Sequence, residues 1–382
     1  MSLFFIVFFM LYSGMHVYAF LRARAALAFG AEVSLPLVAF MAIMVLAPVL
    51  IRQAEKHGLE FPARLLSYVG YTWMGVIFLF FCASAVLDLY RLLLYSGGLL
   101  SHRNLSHLAL SARYAFFIPL AVSLTIAVYG YFEALMIRTE HVVIRTAKVP
   151  KDIGALTIAQ ISDVHAGLIV GEGRLTRILD KVREAKPDIL VSTGDLVDGQ
   201  INGLGALAKL FQEIKPRFGK YAVPGNHEYY AGIKEALEFT KNAGFTVLRG
   251  ESATTIINIA GVDDPAGEAF GIRPRITERE LLSDLPQSKF TLFLKHRPLI
   301  DKGALGHFDL QLSGHSHNGQ IFPFTLIVKY LYPDAAGWMS LPDNSNLYVS
   351  RGSGTWGPPI RFLAPPEVTI IELVHEDRKS RH

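Results

Sequence analysis

The chain has 382 residues, a length typical of two or three domains of about 150 residues each. Apolar residues make up 51% of the chain and charged residues 18%, whereas soluble globular proteins carry about 25% charged residues. Part of the chain is therefore expected to face lipid. Intrinsic disorder is excluded, because such a chain can bury ample apolar surface. The single cysteine excludes a disulfide framework and a cysteine-rich zinc module.

The net charge of +4 is distributed unevenly along the chain. Residues 1–136 hold eight basic and five acidic residues, whereas the 29 basic and 28 acidic residues of 137–382 nearly cancel. Phosphate neutralisation on nucleic acids needs clustered lysine and arginine. The second part has no basic stripe, so a nucleic-acid partner is not expected.

Four uncharged apolar runs dominate residues 1–136: Leu3–Leu21, Val33–Ile51, Leu65–Leu87 and Tyr114–Phe132. Each has about the 20 residues needed to cross the hydrocarbon core of a bilayer. Short polar connections separate them, the last being Asp88–Arg113. Residues 1–136 are therefore predicted to be a transmembrane helical region with about four spans, and the membrane bilayer is a predicted partner.

The orientation of these spans is predicted from the basic residues beside them. Seven lysines and arginines lie on the N-terminal side of the predicted membrane or just after the last span, against five on the opposite side. Cytoplasmic flanks carry an excess of Lys and Arg. This balance favours a cytoplasmic location for the part of the chain that follows the spans.

Residues 137–382 are predicted to form one α/β domain, because short apolar strands alternate with amphipathic helical patterns. The strand candidates that matter for function are Leu156–Ile161, Asp188–Val191, Tyr221–Val223, Phe290–Leu294 and Phe308–Leu312. This segment is too long for a single small sheet. Two packed sheets with outer helices are expected instead.

A polar cluster follows each of these five strands. The clusters are Ser162–His165, Gly194–Asp198, Pro224–Glu228, Lys295–Pro298 and Gly314–Gln320. Loops beyond strand ends converge on one edge of a sheet and rest on a rigid scaffold. Residues far apart in the sequence are therefore expected to meet in one cleft.

The chemical content of these clusters predicts a metal centre. Asp and His offer oxygen and imidazole ligands suited to Mn, Fe, Zn, Co or Ni. The i, i+2 pairs Asp163/His165 and His315/His317 point both side chains the same way on an extended backbone, and the carboxylate of Asp195 can bridge two cations. Taken singly, each cluster is more typical of a turn, a helix cap or a structural histidine. All five in order after strands favour the metal site.

In order, the clusters read D-x-H, G-D-x-x-D, G-N-H-E, a lone histidine and G-H-x-H. This order resembles the signature of the calcineurin-like metallophosphoesterase family, over about residues 140–375. Asp-Val-His-Ala-Gly, Gly-His-Ser-His-Asn-Gly-Gln-Ile-Phe-Pro and Gly-Thr-Trp-Gly-Pro-Pro are typical of its membrane-associated bacterial branch. The resemblance implies a four-layer αββα sandwich at 137–382. The preceding all-α bundle of about four spans is not part of the family core, and it is predicted to lie in the bacterial inner membrane.

The resemblance also implies two divalent metal ions and their ligands. Manganese is the first expectation, with Fe, Zn, Ni, Co or Mg as alternatives. The first metal would be held by Asp163, His165, Asp195 and His317. The second would be held by Asp195, Asn226, His296 and His315.

A mechanism follows from the same resemblance. A hydroxide that bridges the two metals would attack phosphorus in line with the leaving oxygen. Asn226 would help to stabilise the charge that develops on the phosphoryl oxygens. His227 would face the leaving group as a cation or general acid, and Asp198 would hold its imidazole in position.

The apolar stretch Ile321–Pro333 follows the last metal cluster directly and bears on the substrate. It reads equally well as a core element or as a membrane-facing lip that admits acyl chains. The four predicted spans would place the cleft near the bilayer surface, which supports the lip. A lip that admits acyl chains favours a phosphodiester or pyrophosphate in a lipid-linked substrate. The alternatives are a soluble nucleotide phosphodiesterase or phosphatase anchored by its spans, and a membrane sensor with a regulatory phosphoesterase domain.

A further glycine-rich segment, Gly352–Gly357, matches G-x-G-x-x-G. Pro358 and Pro359 follow it, so no helix N-terminus is available there to receive a pyrophosphate. It is predicted to be a loop that shapes the cleft through Trp356.

Overall fold

The computed structural model describes residues 2–199 and 203–377. These residues divide into two compact units, a helical unit up to Phe132 and an α/β unit from Glu133. The short segment Gly357–Ile360 groups with the helical unit.

The helical unit is built from four long helices. They are α1 (Ser2–Leu27), α2 (Ala31–Lys56), α3 (Glu60–Ser101) and α4 (Ala112–Glu133). Within the described residues, the four segments that are long and apolar enough to cross a membrane correspond to these helices. Their inward faces bury Tyr12, Met41, Ile77 and Phe80. The prediction of about four apolar spans is confirmed by length and composition.

Helix α3 is longer than the sequence predicted. It has 42 residues and continues through residues 88–101, where a polar connection was expected. The charge of Asp88 does not end the helix, because its carboxylate pairs with Arg22 on α1 and accepts a hydrogen bond from the Tyr18 hydroxyl at 2.6 Å. A paired carboxylate costs much less inside a helical bundle than an unpaired one.

The α/β unit contains two six-stranded sheets within the described residues. The strands of the first sheet, in spatial order, are β1 (Arg138–Thr146), β12 (Glu367–His375), β2 (Ala155–Ile161), β3 (Ile189–Ser192), β4 (Lys220–Ala222) and β5 (Thr246–Val247). Those of the second are β10 (Gly337–Ser340), β11 (Asn346–Val349), β9 (Leu310–Ser313), β8 (Thr291–Leu294), β7 (Asn258–Gly261) and β6 (Glu251–Thr254).

The two sheets pack face to face around one apolar core. That core takes Ile158 and Val191 from the first sheet and Leu292 and Leu312 from the second, all fully buried. The helices of this unit are α5 (Glu172–Ala185), α6 (Gly205–Gln212), α7 (Asn226–Ala231), α8 (Ile233–Asn242), α9 (Glu278–Ser283) and α10 (Phe324–Leu331).

Helices cover the outer faces of both sheets. Helix α5 buries an apolar stripe that includes Leu175 and Leu179, and it contacts β2 and β12. On the other side, Leu282 of α9 packs with Phe293 of β8. The layers are therefore helix, sheet, sheet and helix, as expected for the αββα sandwich.

The strands that precede the polar clusters each pair in parallel with a neighbour. Strands β2, β3 and β4 pair in parallel, and so do β7, β8 and β9. Parallel strands have their carboxyl ends at the same edge of a sheet, so the loops that follow them emerge side by side. The fold therefore brings the predicted clusters to one edge of the sandwich.

Candidate active site

Each predicted site residue lies just beyond the end of a strand. Asp163 and His165 follow β2, Asp195 and Asp198 follow β3, Asn226 and His227 follow β4, His296 follows β8, and His315 and His317 follow β9. The structure brings all nine of these residues to one cluster.

One group of ligand atoms forms around His317. Its Nε2 lies 3.0 Å from Nε2 of His165 and 3.5 Å from Oδ1 of Asp163. Ser162 donates a hydrogen bond of 2.5 Å to the other oxygen of Asp163. Asp163, His165 and His317 therefore offer one ligand atom each to a common point.

A second group forms around Nε2 of His296. This nitrogen lies 3.2 Å from Oδ2 of Asp195, 3.2 Å from Oδ1 of Asn226 and 3.2 Å from Nδ1 of His315. The same Oδ2 of Asp195 lies 3.9 Å from Nε2 of His165, in the first group. Asp195 is thus the side chain shared by both groups.

The backbone at these residues is strained. Asp163, His165, Asp195, His315 and His317 all have φ between +48° and +71°, the left-handed region that non-glycine residues seldom adopt. Such conformations cost of order 1–3 kcal/mol each and persist where the surrounding structure enforces them. The strain lies at the residues whose side chains converge.

Two glycines allow the loops to approach closely. A methyl group at Gly194, whose φ is +101°, would lie 2.7 Å from both the Gly225 nitrogen and Nδ1 of His296. A methyl group at Gly314 would collide with Ser162 and Asp163. Any side chain at either position would push the ligand loops apart.

His227 lies beside the two groups and is oriented by two aspartates. Its Nδ1 is 3.1 Å from Oδ1 of Asp198, and its backbone N–H donates to Oδ1 of Asp195 at 2.8 Å. Burial lowers the pKa of His227, but the charge of Asp195 and the hydrogen bond to Asp198 outweigh it and raise the pKa to about 9. Because Nδ1 is paired with Asp198, Nε2 is the nitrogen that His227 can offer to a substrate.

Comparison with known proteins agrees with this architecture. The calcineurin-like phosphoesterase family model matches residues 156–319. An uncharacterized metallophosphoesterase of Aquifex aeolicus is 39% identical over 256 residues, which cover 66% of this chain and 97% of that protein. This chain belongs to the calcineurin-like phosphoesterase family.

Two other members of this family are similar over much of their length. An uncharacterized metallophosphoesterase of Campylobacter jejuni is 32% identical over 80% of this chain and 83% of its own length. A transmembrane protein with a metallophosphoesterase domain from Danio rerio is 32% identical over 67% of this chain and 62% of its own length. With the four apolar helices, these similarities indicate a membrane protein. Family membership identifies a phosphoesterase hydrolase that uses divalent metal ions.

The side chains of this phosphoesterase fit divalent cations. Bonds of about 2.0–2.2 Å to a common cation hold neighbouring ligand atoms roughly 3.0–3.5 Å apart, which is the spacing seen around His317 and His296. Two imidazole nitrogens 3.0 Å apart, as in His165 and His317, need a proton or a cation between them.

Protonation states favour metal binding at three ligands. Burial and the charge of His296 lower the pKa of His315 to about 3. Burial and the charge of Arg361 hold the pKa of His317 well below its usual value, so both imidazoles are neutral. Burial raises the pKa of Asp195, but the nearby histidines, His296 foremost, bring it well below the usual range. Neutral imidazoles and an ionised carboxylate are the forms that coordinate metals. Burial lowers the pKa of His296, but the charge of Asp195 outweighs it and raises the pKa to about 10, so His296 would release a proton on binding a cation.

Glu228 is a site residue to which the sequence analysis assigned no role. Its carboxylate accepts backbone N–H bonds from Gly225 and Leu196 at 2.7 Å, from Asp195 at 3.0 Å and from Val197 at 3.3 Å. It therefore ties the loop after β3 to the start of α7. The signal was present, because a glutamate three residues after a helix N-cap is a capping-box pattern.

Arg361 was missed altogether. It is fully buried and donates to Nδ1 of His317 at 3.0 Å, and also to the carbonyl oxygens of Gly354 at 2.6 Å and Arg351 at 2.8 Å. Metal-binding histidines usually donate their second nitrogen to a carboxylate or carbonyl, as His296 does to the carbonyl of Thr193 at 2.8 Å. At His317 the polarity is reversed: Arg361 can only donate, so Nδ1 accepts and a neutral ring carries its proton on Nε2, the atom that faces Asp163. A cation could bind Nε2 only after that proton leaves, and the adjacent charge of Arg361 favours its loss. No local motif marks this arginine.

We expect Arg361→Lys to weaken metal binding at the group around His317 by about 10- to 100-fold, the usual effect of losing an outer hydrogen-bond partner. Lysine keeps the charge but cannot reach the ring nitrogen and the surrounding carbonyls together. The measurement is a Mn²⁺ titration of chelator-treated full-length protein in detergent, with bound metal counted by mass spectrometry.

Arg249→Lys is the matched control, because Arg249 forms its fork of hydrogen bonds with Asp263, which is not a predicted ligand. Its metal affinity should stay at the wild-type value. Circular dichroism checks that both variants fold. An Arg361→Lys protein that folds and binds two metals with unchanged affinity would show that the ring of His317 is held by other contacts.

Proposed function

We propose that this protein is a membrane-bound phosphoesterase that uses two divalent cations, manganese foremost, to hydrolyse a phosphodiester or pyrophosphate bond in a lipid-linked substrate. The observation that carries the proposal is the convergence of two ligand groups on the shared carboxylate of Asp195. The first cation would be held by Asp163, His165, Asp195 and His317, and the second by Asp195, Asn226, His296 and His315.

The chemistry that two bound cations supply is a water of lowered pKa and neutralisation of the phosphoryl oxygens. The protein supplies the remaining groups. Oδ1 of Asn226 lies toward His296, so its amide N–H₂ is the donor available to a phosphoryl oxygen. His227 would donate its Nε2 proton to the leaving oxygen, and Asp198 would hold the imidazole in the required orientation.

The domain organisation that goes with this function is a transmembrane region at 1–136 and a catalytic domain at 137–382. The excess of basic residues on the N-terminal side of the predicted membrane and just after the last span supports a cytoplasmic catalytic domain in a bacterial inner membrane. Helix α4 ends at Glu133 and β1 begins at Arg138, so only four residues connect them. Four residues reach about 14 Å at most, which tethers the α/β unit close to any bilayer that α4 crosses.

A lipid-linked substrate is supported by the surface of α10. Two of its residues, Thr325 and Val328, are buried. The outer residues form an exposed apolar surface, the α10 surface: Phe324, Leu326, Ile327, Tyr330 and Leu331. Soluble proteins expose contiguous apolar patches of this kind mainly where they bind partners, ligands or membranes.

The α10 surface is coupled to the metal ligands. The ring of His315 lies 5.7 Å from that of Tyr332, at the end of α10. Ser316, between His315 and His317, donates a hydrogen bond of 2.5 Å to the carbonyl of Ala335. Acyl chains bound on the α10 surface would therefore lie beside the second ligand group, where a phosphate of the same molecule can reach it.

Replacement of the shared ligand tests the central proposal. We expect Asp195→Ala to lose both cations and to lower kcat/KM by more than about 100-fold, since even partners outside the ligand set contribute 10- to 100-fold. Hydrolysis of bis-nitrophenyl phosphate and of a lipid-linked pyrophosphate by detergent-solubilised protein with added Mn²⁺ gives the measurement. Asp284→Ala, an exposed aspartate at the end of α9, should behave as wild type. Equal activity in the two variants would reject the metal-dependent reaction.

The role of His227 is tested by the basicity of the leaving group. We expect His227→Gln to lower kcat by about 10²- to 10⁴-fold for alkyl leaving groups, because an alkoxide must be protonated as it leaves. Nitrophenyl esters should lose much less, because nitrophenolate leaves without a proton. His141→Gln, an exposed histidine on β1, is the control. The same loss on both classes of ester would contradict proton donation by this residue.

The lipid part of the proposal is tested on the α10 surface. We expect the triple change Leu326→Ser, Ile327→Ser and Leu331→Ser to raise KM for a lipid-linked pyrophosphate by at least 10-fold, since each apolar side chain contributes about 1.5–3 kcal/mol when buried. Hydrolysis of bis-nitrophenyl phosphate should stay within about 2-fold of wild type. Val143→Ser, at an exposed position of β1, controls for loss of apolar surface. An equal loss of activity on the two substrates would indicate that the membrane helices serve only as an anchor.

A further inference from the structure

Three half-exposed aromatic rings lie beside His227. Trp356, Tyr230 and Phe270 have exposed fractions of 49%, 43% and 42%, and we call them the aromatic wall. The ring of His227 is 5.7 Å from Trp356 and 5.5 Å from Tyr230, each in an edge-to-face arrangement. Phe270 extends the wall, with its ring 6.3 Å from that of Tyr230. Large aromatic residues seldom stay exposed as a group without a binding role.

Trp356 is held in place by the loop that carries His317. Its backbone N–H donates to Oε1 of Gln320, and Nε2 of Gln320 donates back to its carbonyl, both at 2.9 Å. This reciprocal pair fixes the backbone of Trp356 while the indole stays half exposed. An anchored, exposed ring loses little conformational freedom when it binds a partner.

The other end of the wall is fixed by an ion pair. Phe270 ends the 3₁₀ turn Pro265–Phe270, whose first N–H groups are capped by Asp264. Asp264 accepts two hydrogen bonds, at 2.8 and 3.0 Å, from Arg297, the neighbour of His296. The guanidinium of Arg297 is thus engaged by a carboxylate at the base of the wall.

We propose that the aromatic wall is the subsite for the leaving group and that it takes a planar aromatic or heteroaromatic ring. The inference rests on the proposed function, in which His227 donates a proton to the leaving oxygen. A group attached to that oxygen must lie against the rings that contact His227. Offset and edge-to-face contacts stabilise a bound flat ring more than a bound aliphatic group of equal size. The C-terminal end of α10 lies beside His315 instead, through the ring of Tyr332, so the acyl chains and the leaving group of the substrate would contact different surfaces.

The test compares two phosphodiesters that share a methyl group and differ in the leaving alcohol, naphthylmethanol or cyclohexylmethanol. Both alcohols form similarly basic leaving groups, so the two esters differ in the aromaticity and size of the ring and not in leaving-group basicity. We expect Trp356→Leu to lower kcat/KM for the naphthylmethyl ester by about 5- to 100-fold, the range for losing one ring–aromatic stack. The cyclohexylmethyl ester should change by less than about 2-fold, and Trp356→Phe should restore most of the preference.

Trp338→Leu is the control, since Trp338 is a half-exposed tryptophan on β10 and not part of the wall. It should leave the preference between the two esters unchanged. Equal losses on both esters in Trp356→Leu, or a larger loss on the cyclohexylmethyl ester, would overturn the proposal.

Binding without turnover separates this proposal from the proposed function. The methyl esters of naphthylmethylphosphonate and cyclohexylmethylphosphonate, in which a stable C–P bond replaces the bond to the leaving oxygen, are titrated into Mn²⁺-loaded wild-type and Trp356→Leu protein by calorimetry. If the wild-type protein binds the naphthylmethyl compound preferentially and Trp356→Leu abolishes this preference, the subsite is supported even if no ester is hydrolysed. A lack of hydrolysis contradicts only the proposed function. Equal binding of the two esters to the wild-type protein overturns the subsite.

Discussion

The buried carboxylate of Asp195 is the constraint on which the rest of the site depends. One of its oxygens lies between the two ligand groups, 3.2 Å from His296 and 3.9 Å from His165. The other accepts the backbone N–H of His227 at 2.8 Å. A charge removed from water in this way must be compensated on every side. Its position therefore dictates where the histidines, the start of α7 and the neighbouring glycines have to lie.

The sandwich provides the rigidity that this arrangement requires. Five of the proposed ligands have left-handed backbone conformations, which a flexible loop would not keep. The loops are held from behind by Glu228, which accepts four backbone N–H bonds, and by Arg361, which is buried against His317. Neither residue would bind a metal itself. Each holds in position the residues that would. The strained loops and these buried anchors form one unit.

The surfaces next to the site differ in character. The α10 surface is largely aliphatic and lies near His315, whereas the aromatic wall lies near His227. The segment that follows α10 is bonded to a ligand loop through Ser316, and the aromatic wall is bonded to the same loop through Gln320. A substrate whose acyl chains bind the α10 surface and whose leaving group binds the aromatic wall would be aligned across the two ligand groups. Such alignment is a large part of how enzymes promote phosphoryl transfer.

Some features of this protein follow from local sequence alone. The apolar runs identify four membrane-length helices, because crossing hydrocarbon requires a certain length and composition. The clusters after the strands predict which side chains converge, since parallel strands end at a common edge. Glu228 was within reach of the same reasoning through its capping pattern. In these cases the relevant physics acts over a few neighbouring residues.

Other features were decided only by the tertiary structure. Helix α3 continues past Asp88 because a residue 66 positions away pairs with that carboxylate. Arg361 contacts His317 from 44 positions along the chain, and Trp356 meets Gln320 from 36. The sequence left open whether Ile321–Pro333 is a core element or a membrane-facing lip. In the folded chain, α10 has two buried residues and an exposed apolar face. Local sequence determines which residues can bind metals or enter a membrane, whereas long-range packing determines which atoms meet, because those contacts exist only after the chain has folded.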